Sequence, residues 1–311
     1  MQKEILSDKT ERGKEKPWRE HKVSNEYLAM AYDEIDKKKA VRLRECATRL
    51  TFSVQANGKK RLKNANFCRV RLCPMCTWRR SLKVYANVIK ILDNMEQEYG
   101  YIFLTLTVRN CKGQDLAEQL DKLMVAWKRL EHRKAFKQAV KGWYRGLEIT
   151  HNVNPLSPSY DTFHPHFHCL LAVNKSYFKK QEYLSQEDWV ELWKQSLKVD
   201  YKPVVDVRKV KGSHSQAVAE AAKYAVKSDE VVIPDDWDLT LDTVRLLDRV
   251  LDKRRFVAFG GKMKAVHRQL NLEDEMDGNL VNIEAEAVGE EPADREQCFF
   301  WNIGYQQYVG A

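Results

Sequence analysis

Two histidines separated by one residue are the first side chains in this sequence that could do chemistry. His166 and His168 flank Phe167 at the start of an apolar run, HFHCLLAV, that predicts a β-strand. Residues i and i+2 share one face of a strand, so the two imidazoles lie about 6–7 Å apart and can hold one divalent ion. His164, which precedes Pro165, is either a spare ligand or a substrate contact.

A carboxylate is the expected third ligand of this site. Glu148 lies between apolar residues in a second predicted strand, residues 143–151. If the two strands pair as a hairpin, Glu148 faces the histidines, and a carboxylate in such a position needs a partner. Two imidazoles and one carboxylate leave open positions for a phosphate oxygen and suit Mg²⁺ or Mn²⁺. The alternative interpretation is a pair of surface histidines without an ion.

A tyrosine on a predicted helix is the candidate nucleophile. Glu220 and Tyr224 are four residues apart in EAAKYAVK and share a helix face with Lys227, and Lys223 flanks the tyrosine. A phenol is a weak nucleophile at neutral pH, but nearby cations and a metal ion would help it to attack a phosphate. The attack would form a 5′-phosphotyrosyl bond and free a 3′-OH, whereas Glu220 could activate a water. On sequence alone, such a tyrosine is more often a surface residue.

Four cysteines predict a structural metal site. Cys68, Cys73 and Cys76 lie within nine residues, and Cys46 lies upstream of a predicted hairpin around an Asn-Gly turn. A Cys-Pro-x-Cys turn brings two thiolates to one tetrahedral ion, and four thiolates leave no open position, so the ion would be a structural Zn²⁺. The alternative is a group of reduced thiols. The other cysteines are interpreted as packing or surface residues: Cys111, Cys169 and Cys298.

The charge is unevenly distributed along the chain. Residues 41–90 contain thirteen Lys and Arg against one acidic residue, whereas residues 271–311 contain ten acidic residues against one Arg. A dense basic block is typical of a protein that binds a polyanion, although a solvated basic face is the alternative. The acidic segment is either disordered or shields the basic surface. The candidate phosphate contacts are Arg69, Arg71, Arg79, Arg80, Lys223 and Lys227.

The elements that must position these side chains form an α+β pattern. Residues 1–24 predict a mobile leader, residues 25–98 a basic Cys-rich zinc and DNA-binding module with helices, and residues 271–311 an acidic tail. Between them, residues 99–270 alternate in the order β-α-β-β-α-β-α, with the histidine strand in a hairpin. No apolar run is long enough to span a membrane or to serve as a signal peptide, so we expect a cytoplasmic protein without disulfides.

Five blocks of this sequence resemble the plasmid rolling-circle replication initiators of Gram-positive bacteria, which belong to the HUH endonucleases. In order along residues 10–280 they are FCRVRLCPMCTWRRSLK, YIFLTLTVRN, HPHFHCLL, EAAKYAVK and RRFVAFGGKMKAVHRQLNL. The resemblance implies an antiparallel HUH sheet, with His166 and His168 as metal ligands and Tyr224 as the nicking nucleophile. Glu220 would take the place of a second tyrosine and direct the hydrolysis that ends a replication round. Glu148 as third ligand follows from the strand pairing and is consistent with the family pattern.

The resemblance also implies the partners of the protein. The substrate would be plasmid origin DNA, both as duplex and as an extruded single-stranded hairpin, and a host helicase and polymerase would act at the freed 3′-OH. A homodimer is a candidate assembly. Two other functions stay open: a non-catalytic, zinc-containing DNA-binding regulator, and a relaxase or transposase of the same HUH chemistry. Metal-dependent strand cleavage would distinguish an initiator from the DNA-binding regulator. Joining activity on transposon ends would instead favour the transposase.

Overall fold

The chain has an α+β fold in the computed structural model, with two antiparallel sheets and flanking helices. The structure describes residues 4–10, 12–95, 98–179, 183–211, 215–222, 226–274, 276, 278–281, 283 and 295–310. The chain divides into two units. Unit 1 comprises Met1–Lys83, Val231–Arg249 and Glu273–Ala311, and unit 2 comprises Val84–Glu230 and Val250–Leu272.

The elements follow one another along the chain as α1 (Trp18–Asp33), α2 (Lys37–Glu45), β1 (Arg49–Val54), β2 (Lys60–Ala65), α3 (Pro74–Asp93), β3 (Tyr99–Thr107), α4 (Leu116–His132), α5 (Lys134–Ala139), β4 (Val140–Asn152), β5 (Thr162–Asn174), α6 (Gln186–Leu197), β6 (Val205–Lys209), α7 (Ser215–Ala221), α8 (Trp237–Val250), β7 (Val257–Gly260), α9 (Gly261–Gln269), β8 (Arg295–Asn302) and β9 (Gln307–Gly310). No helix among the described residues is both long and apolar enough to cross a membrane.

Unit 2 is built on a five-stranded sheet in the order β6-β3-β5-β4-β7. Alternation of side chains along the strands gives the sheet two different faces. On one face, helix α4 packs its apolar side against β5, where Trp127 meets Phe167 edge to face. On the other face, one end is covered by the second half of α3 and by α7 and α9, around Tyr144 and Leu170. The rest of that second face carries His166, His168 and Glu148.

Unit 1 is built on a four-stranded sheet in the order β2-β1-β8-β9. Its core is aromatic: Trp18 of α1 packs edge to face on Phe52 of β1 and on Trp78 of α3, and Phe52 packs on Phe299 of β8. The predicted hairpin around Asn57-Gly58 is confirmed, because β1 and β2 pair across it. Gly58 has a φ of +80°, which glycine adopts without strain.

The structure corrects two predictions about the ends of the chain. Residues 1–24 do not form only a mobile leader: α1 begins at Trp18, whose indole donates to buried Asp8. Residues 271–311 are not only a tail, because β8 pairs with β1 and with β9. The reason is the aromatic run at residues 299–301, which buries Phe299 and which the high acidic content of the surrounding segment obscures.

The predicted order of elements matches the structure from β3 to α7, and the chain then continues with α8, β7 and α9 before residue 270. The spacing of leucines in residues 115–139 predicts one helix, but Arg133 is extended, so α4 and α5 are separate. The sequence of residues 25–40 also predicts one helix, but this stretch is divided between α1 and α2, and the Asp36 side chain caps the start of α2. The Gly260-Gly261 turn is the junction at which β7 ends and α9 begins.

Candidate functional site

The predicted hairpin brings one carboxylate and two imidazoles together. Strands β4 and β5 pair in antiparallel register with Glu148 opposite His166, and His168 follows two residues later on the same face. Phe167 points to the other face and is fully buried. The expectation that Glu148 faces the histidine pair is therefore confirmed.

The three side chains are close enough to share one ion. The Nε2 atom of His168 lies 2.9 Å from Oε2 of Glu148, and Nε2 of His166 lies 3.5 Å from the same oxygen. All three residues are 7–8% exposed, so the site is enclosed but accessible. Burial alone would raise the pKa of Glu148, but hydrogen bonds and charge from the two imidazoles outweigh burial and lower that pKa well below its ordinary value. The carboxylate is therefore ionised at neutral pH.

Hydrogen bonds behind the imidazoles fix which nitrogen faces the site. Nδ1 of His166 lies 3.0 Å from the His164 carbonyl oxygen, which can only accept, so this nitrogen carries the proton and Nε2 presents a lone pair. Nδ1 of His168 lies 3.2 Å from the Thr105 hydroxyl, which can donate or accept. Such outer partners are typical of histidines that bind metal ions. The donor set of one carboxylate oxygen and two Nε2 atoms fits a divalent cation.

His164 lies on the same face as the ligand pair, two residues before His166 in β5. Its ring centroid is 5.1 Å from that of His166, and it is paired with Thr150 of β4. Burial lowers the pKa of His164, and the neighbouring His166 lowers it further. A neutral imidazole at the rim of the site is compatible with both roles expected for it, spare ligand and substrate contact.

Helix α7 is anchored next to this site. The Tyr144 hydroxyl donates to the carbonyl oxygen of Ala221, the last residue of α7, at 3.0 Å. The contact is close because Gly146 has no side chain: a Cβ there would lie 2.8 Å from the Ala221 carbonyl oxygen. Gly146 is opposite His168 in the sheet, so the end of α7 lies beside the histidine pair.

A second anchor lies beyond residues 223–225. Buried Glu230 accepts from the His151 backbone N–H at 3.0 Å and from Lys227 Nζ at 2.9 Å. The hydrogen bond to Glu230 raises the pKa of Lys227, and the charge of Glu148 contributes. Nδ1 of His151 lies 3.0 Å from the Glu230 carbonyl oxygen. The described chain therefore reaches β4 on both sides of Glu148, at Gly146 and at His151.

Two of the predicted tyrosine-helix residues, Tyr224 and Lys223, lie outside the described residues. Glu220 is described, and it is bound by an arginine. Arg208 of β6 donates to Asp206 at 2.7 Å and to Glu220 at 3.4 Å, and its guanidinium lies 5.3 Å from the centroid of the Phe103 ring. Asp206 is opposite Thr105 in the sheet, so this ion-pair network borders the histidine site.

The four predicted cysteines form one cluster. Their sulfur atoms all lie within 4.8 Å of one another, with Cys46 3.6 Å from both Cys73 and Cys76. A tetrahedral Zn²⁺ with bonds of about 2.3 Å to sulfur requires sulfur separations of about 3.8 Å, so the cluster fits zinc. Burial and the neighbouring thiols raise the pKa of Cys73. A bound cation would offset this and favour the deprotonated thiolates. Pro74 begins α3, so the Cys-Pro-x-Cys turn is a helix start.

Two of the candidate phosphate contacts near the cysteines are buried. Arg79 and Arg80 are only 2% and 7% exposed. Arg79 donates to the carbonyl oxygens of Leu280 and Val281, so it holds the C-terminal segment within unit 1. The guanidinium of Arg80 donates to the Arg69 carbonyl oxygen. Both guanidinium groups are therefore occupied within unit 1, and phosphate contacts of Arg79 and Arg80 stay a prediction.

Arg69 and Arg71 are more accessible, and both also contact the C-terminal segment. Arg69 donates to the carbonyl oxygens of Met276 and Gly278, and Arg71 contacts the Met276 sulfur. Lys83 is paired with Glu273 of the same segment. The acidic segment thus covers part of the basic surface, which agrees with the shielding interpretation.

Sequence reasoning missed the residues that support the site from a distance. Thr105, Arg208 and Glu230 belong to other strands or to a turn, and no local pattern connects them with the histidines. His151 looked ordinary because its partner lies 79 residues away. The one available signal is a polar residue within an apolar run, such as Thr105 in YIFLTLTV.

Known proteins are similar to this sequence along almost its whole length. Residues 59–309 match a family model described as "Replication protein". A "Protein rep" from Bacillus amyloliquefaciens is 40% identical over 98% of this chain and 97% of its own length. A "Protein rep" from Lentilactobacillus hilgardii is 35% identical over 99% of both chains, and one from Streptococcus pneumoniae serotype 2 is 37% identical over 90% of this chain and 88% of its own. No solved structure matches the chain.

Proposed function

The chain belongs to the replication protein family, and on this basis we propose that it is a plasmid replication initiator of the HUH type. It nicks one strand of the double-strand origin and so starts rolling-circle replication. Unit 2 is the HUH nicking domain, and the protein acts in the cytoplasm on plasmid DNA. A host helicase and polymerase then work at the nick, and a homodimer is a candidate form of the initiator.

The proposed reaction is a transfer of one phosphodiester bond to tyrosine. The Tyr224 oxygen attacks the scissile phosphorus and loses its proton. The bond from phosphorus to the 3′ oxygen breaks, and that oxygen takes up a proton to become the 3′-OH primer. A Mg²⁺ or Mn²⁺ ion held by Glu148, His166 and His168 would supply Lewis acidity toward a phosphate oxygen. Lys227 and Lys223 would add positive charge beside the phosphate.

The observation that carries this proposal is the double anchoring of the tyrosine segment on β4. Ala221 is held beside Gly146, and Glu230 is held by His151, while Glu148 lies between these two positions in the strand. Tyr224 comes between Ala221 and Glu230 in the sequence, so both fixed residues are close to it along the chain. That arrangement supports a nucleophile working at the Glu148 and histidine site.

Glu220 has the second catalytic role in this proposal. It directs a water to the phosphotyrosyl bond when a replication round ends. Its ion pair with Arg208, which also binds Asp206, keeps the carboxylate at the border of the histidine site. Arg208 is therefore a positioning residue for Glu220.

Unit 1 has a supporting role in this proposal. One Zn²⁺ held by Cys46, Cys68, Cys73 and Cys76 would join the end of α2, the connection between β2 and α3, and the start of α3. The basic hairpin of unit 1 then offers cations to the origin DNA.

A nicking assay on supercoiled plasmid with the cognate origin tests the proposal. Wild type with Mn²⁺ is expected to yield relaxed circles and a covalent protein–DNA adduct, and excess EDTA is expected to abolish both. Tyr224→Phe is expected to yield neither, whereas Tyr27→Phe, a change on the exposed face of α1, keeps both.

Two other outcomes would replace the proposal. Binding of the origin by wild type and Tyr224→Phe without cleavage by either would identify a DNA-binding regulator. Joining of transposon ends by wild type would identify a transposase of the same chemistry.

A further inference from the structure

The outer face of the unit 1 sheet carries aromatic and basic side chains together. In the pairing of β1 with β8, Arg49 is opposite Phe300, and both point away from the core that Leu50 and Phe299 build. The Arg49 guanidinium lies 6.0 Å from the centroid of the Phe300 ring. The connection from β8 to β9 adds Tyr305, next to which the exposed Arg19 donates to the Gln306 carbonyl oxygen.

These apolar side chains are open to solvent. Phe300 is 45% exposed, Tyr305 is 73% exposed, and Ile303 between them is 74% exposed. Three large apolar side chains this exposed therefore lie within residues 300–305 of the chain, and exposed apolar surface of this kind is typical of binding sites. An exposed phenylalanine such as Phe300 is unfavourable here, because residues on the solvent-facing side of a sheet are ordinarily polar. We call Arg49, Phe300, Ile303 and Tyr305 the outer platform.

The charge around the outer platform indicates the kind of partner. Residues 49–65 and 295–310, which form the four strands and their two connections, contain six Lys and Arg against one acidic residue. That acidic residue, Glu296, is paired with Lys63. The sheet presents aromatic rings beside Arg19 and Arg49, for which no ion pair is found among the described residues. This combination matches an anion with flat apolar groups, which describes an unpaired nucleic acid strand.

We propose that the outer platform binds single-stranded DNA, with bases stacked on Phe300 and Tyr305 and phosphates held by Arg49 and Arg19. Stacking needs an exposed base face, which a duplex does not offer, so the platform favours a displaced or extruded strand over duplex DNA. All residues of the outer platform belong to unit 1, whereas the residues proposed to cut belong to unit 2. It goes beyond the proposed nicking function, since it adds a second binding site for the same molecule.

Binding of a fluorescent oligonucleotide of about 15 nucleotides, a length within reach of one such surface, tests this proposal. The zinc-loaded full chain is titrated without added Mg²⁺ or Mn²⁺, so the result does not depend on strand cleavage. Phe300→Ala and Tyr305→Ala are each expected to weaken binding about tenfold or more, and Phe300→Trp is expected to restore it. Tyr27→Ala, another exposed aromatic of unit 1, is the matched control and keeps wild-type affinity.

The salt dependence separates stacking from charge. Arg49→Ala is expected to reduce the slope of log affinity against log salt by about 0.7, the value for one phosphate contact on a single strand. Phe300→Ala is expected to weaken binding with an unchanged slope.

Three results would overturn the proposal. The first is an equal loss of duplex and single-strand binding in Phe300→Ala. The second is unchanged single-strand binding in the double variant of Phe300 and Tyr305. The third is a change of sedimentation alone, which would assign the platform to contact between copies of the chain. A chain that binds single strands through the platform but cuts no origin would contradict the nicking function and leave this inference standing.

Discussion

At the scale of single residues, the candidate site depends on what lies behind the ligands. His166 is oriented by a carbonyl of its own strand, and His168 is oriented by Thr105 of the neighbouring strand. The sequence predicted the ligands, because His-x-His and Glu148 have a local pattern and a hairpin brings them together. It could not predict Thr105 or Arg208, since their roles arise from pairing with β5 and with α7 over long separations.

Thr105→Val tests the orienting role of that hydroxyl. The change removes the partner of His168 Nδ1 with almost no change of volume, so the ring loses its fixed orientation. Mn²⁺ affinity, measured by electron paramagnetic resonance of free Mn²⁺, is expected to fall about 10- to 100-fold. Thr107→Val on the same strand, whose hydroxyl donates to the Val204 carbonyl oxygen, is the control and keeps the affinity. Equal losses in both variants would assign the effect to the strand.

At the scale of elements, helix α7 ends in contact with β4, just before the segment proposed to contain the nucleophile. The helix ends beside Gly146, which has no side chain to keep it away. The Tyr144 hydroxyl donates a hydrogen bond to the carbonyl oxygen of the last helical residue. Patterns of apolar residues predicted both elements but not this contact. A glycine inside a strand does suggest a close backbone approach, but nothing local shows which segment approaches.

Gly146→Ala tests the contact between α7 and β4. The added methyl group would lie 2.8 Å from the Ala221 carbonyl oxygen, so the end of α7 must move away from the site. A displacement of about 1 Å can reduce a reaction on the order of 100-fold, and we expect origin nicking to fall by that order. Mn²⁺ affinity should stay within about twofold, because the ligands keep their hydrogen bonds.

Gly100→Ala is the matched control for this variant. A Cβ there would meet Phe178 at 3.7 Å, which is an ordinary contact, so nicking should stay at the wild-type level. A Gly146→Ala protein that nicks like wild type would show that the position of α7 does not govern the reaction.

At the scale of the whole molecule, the two predicted ion sites belong to different units. The cysteine cluster lies in unit 1, and the Glu148 and histidine site lies in unit 2. The sequence indicated this separation by the distance between the two motifs. It did not indicate that residues 295–310 complete the sheet of unit 1, because pairing between strands more than 200 residues apart has no local signal.

Cys73→Ser tests the independence of the two sites. It removes one of four thiolates, and we expect the purified protein to lose about one Zn²⁺ per chain and unit 1 to unfold at a lower temperature. Mn²⁺ binding at the histidine site is expected to stay within about twofold. Cys298→Ser, a cysteine of the same unit outside the cluster, keeps zinc. Wild-type zinc content in Cys73→Ser would contradict the four-thiolate site.

The pairing of β1 with β8 has a consequence for the newly made chain on the ribosome. Strand β1 ends at Val54 and its partner β8 begins at Arg295, so the 240 residues from 55 to 294 must be translated between them. At about 5–20 residues per second, translation takes on the order of ten to fifty seconds, during which β1 lacks this partner. The whole of unit 2 is translated within that interval. A chain still attached to its ribosome therefore carries all of unit 2 before the strand that completes the unit 1 sheet has been made.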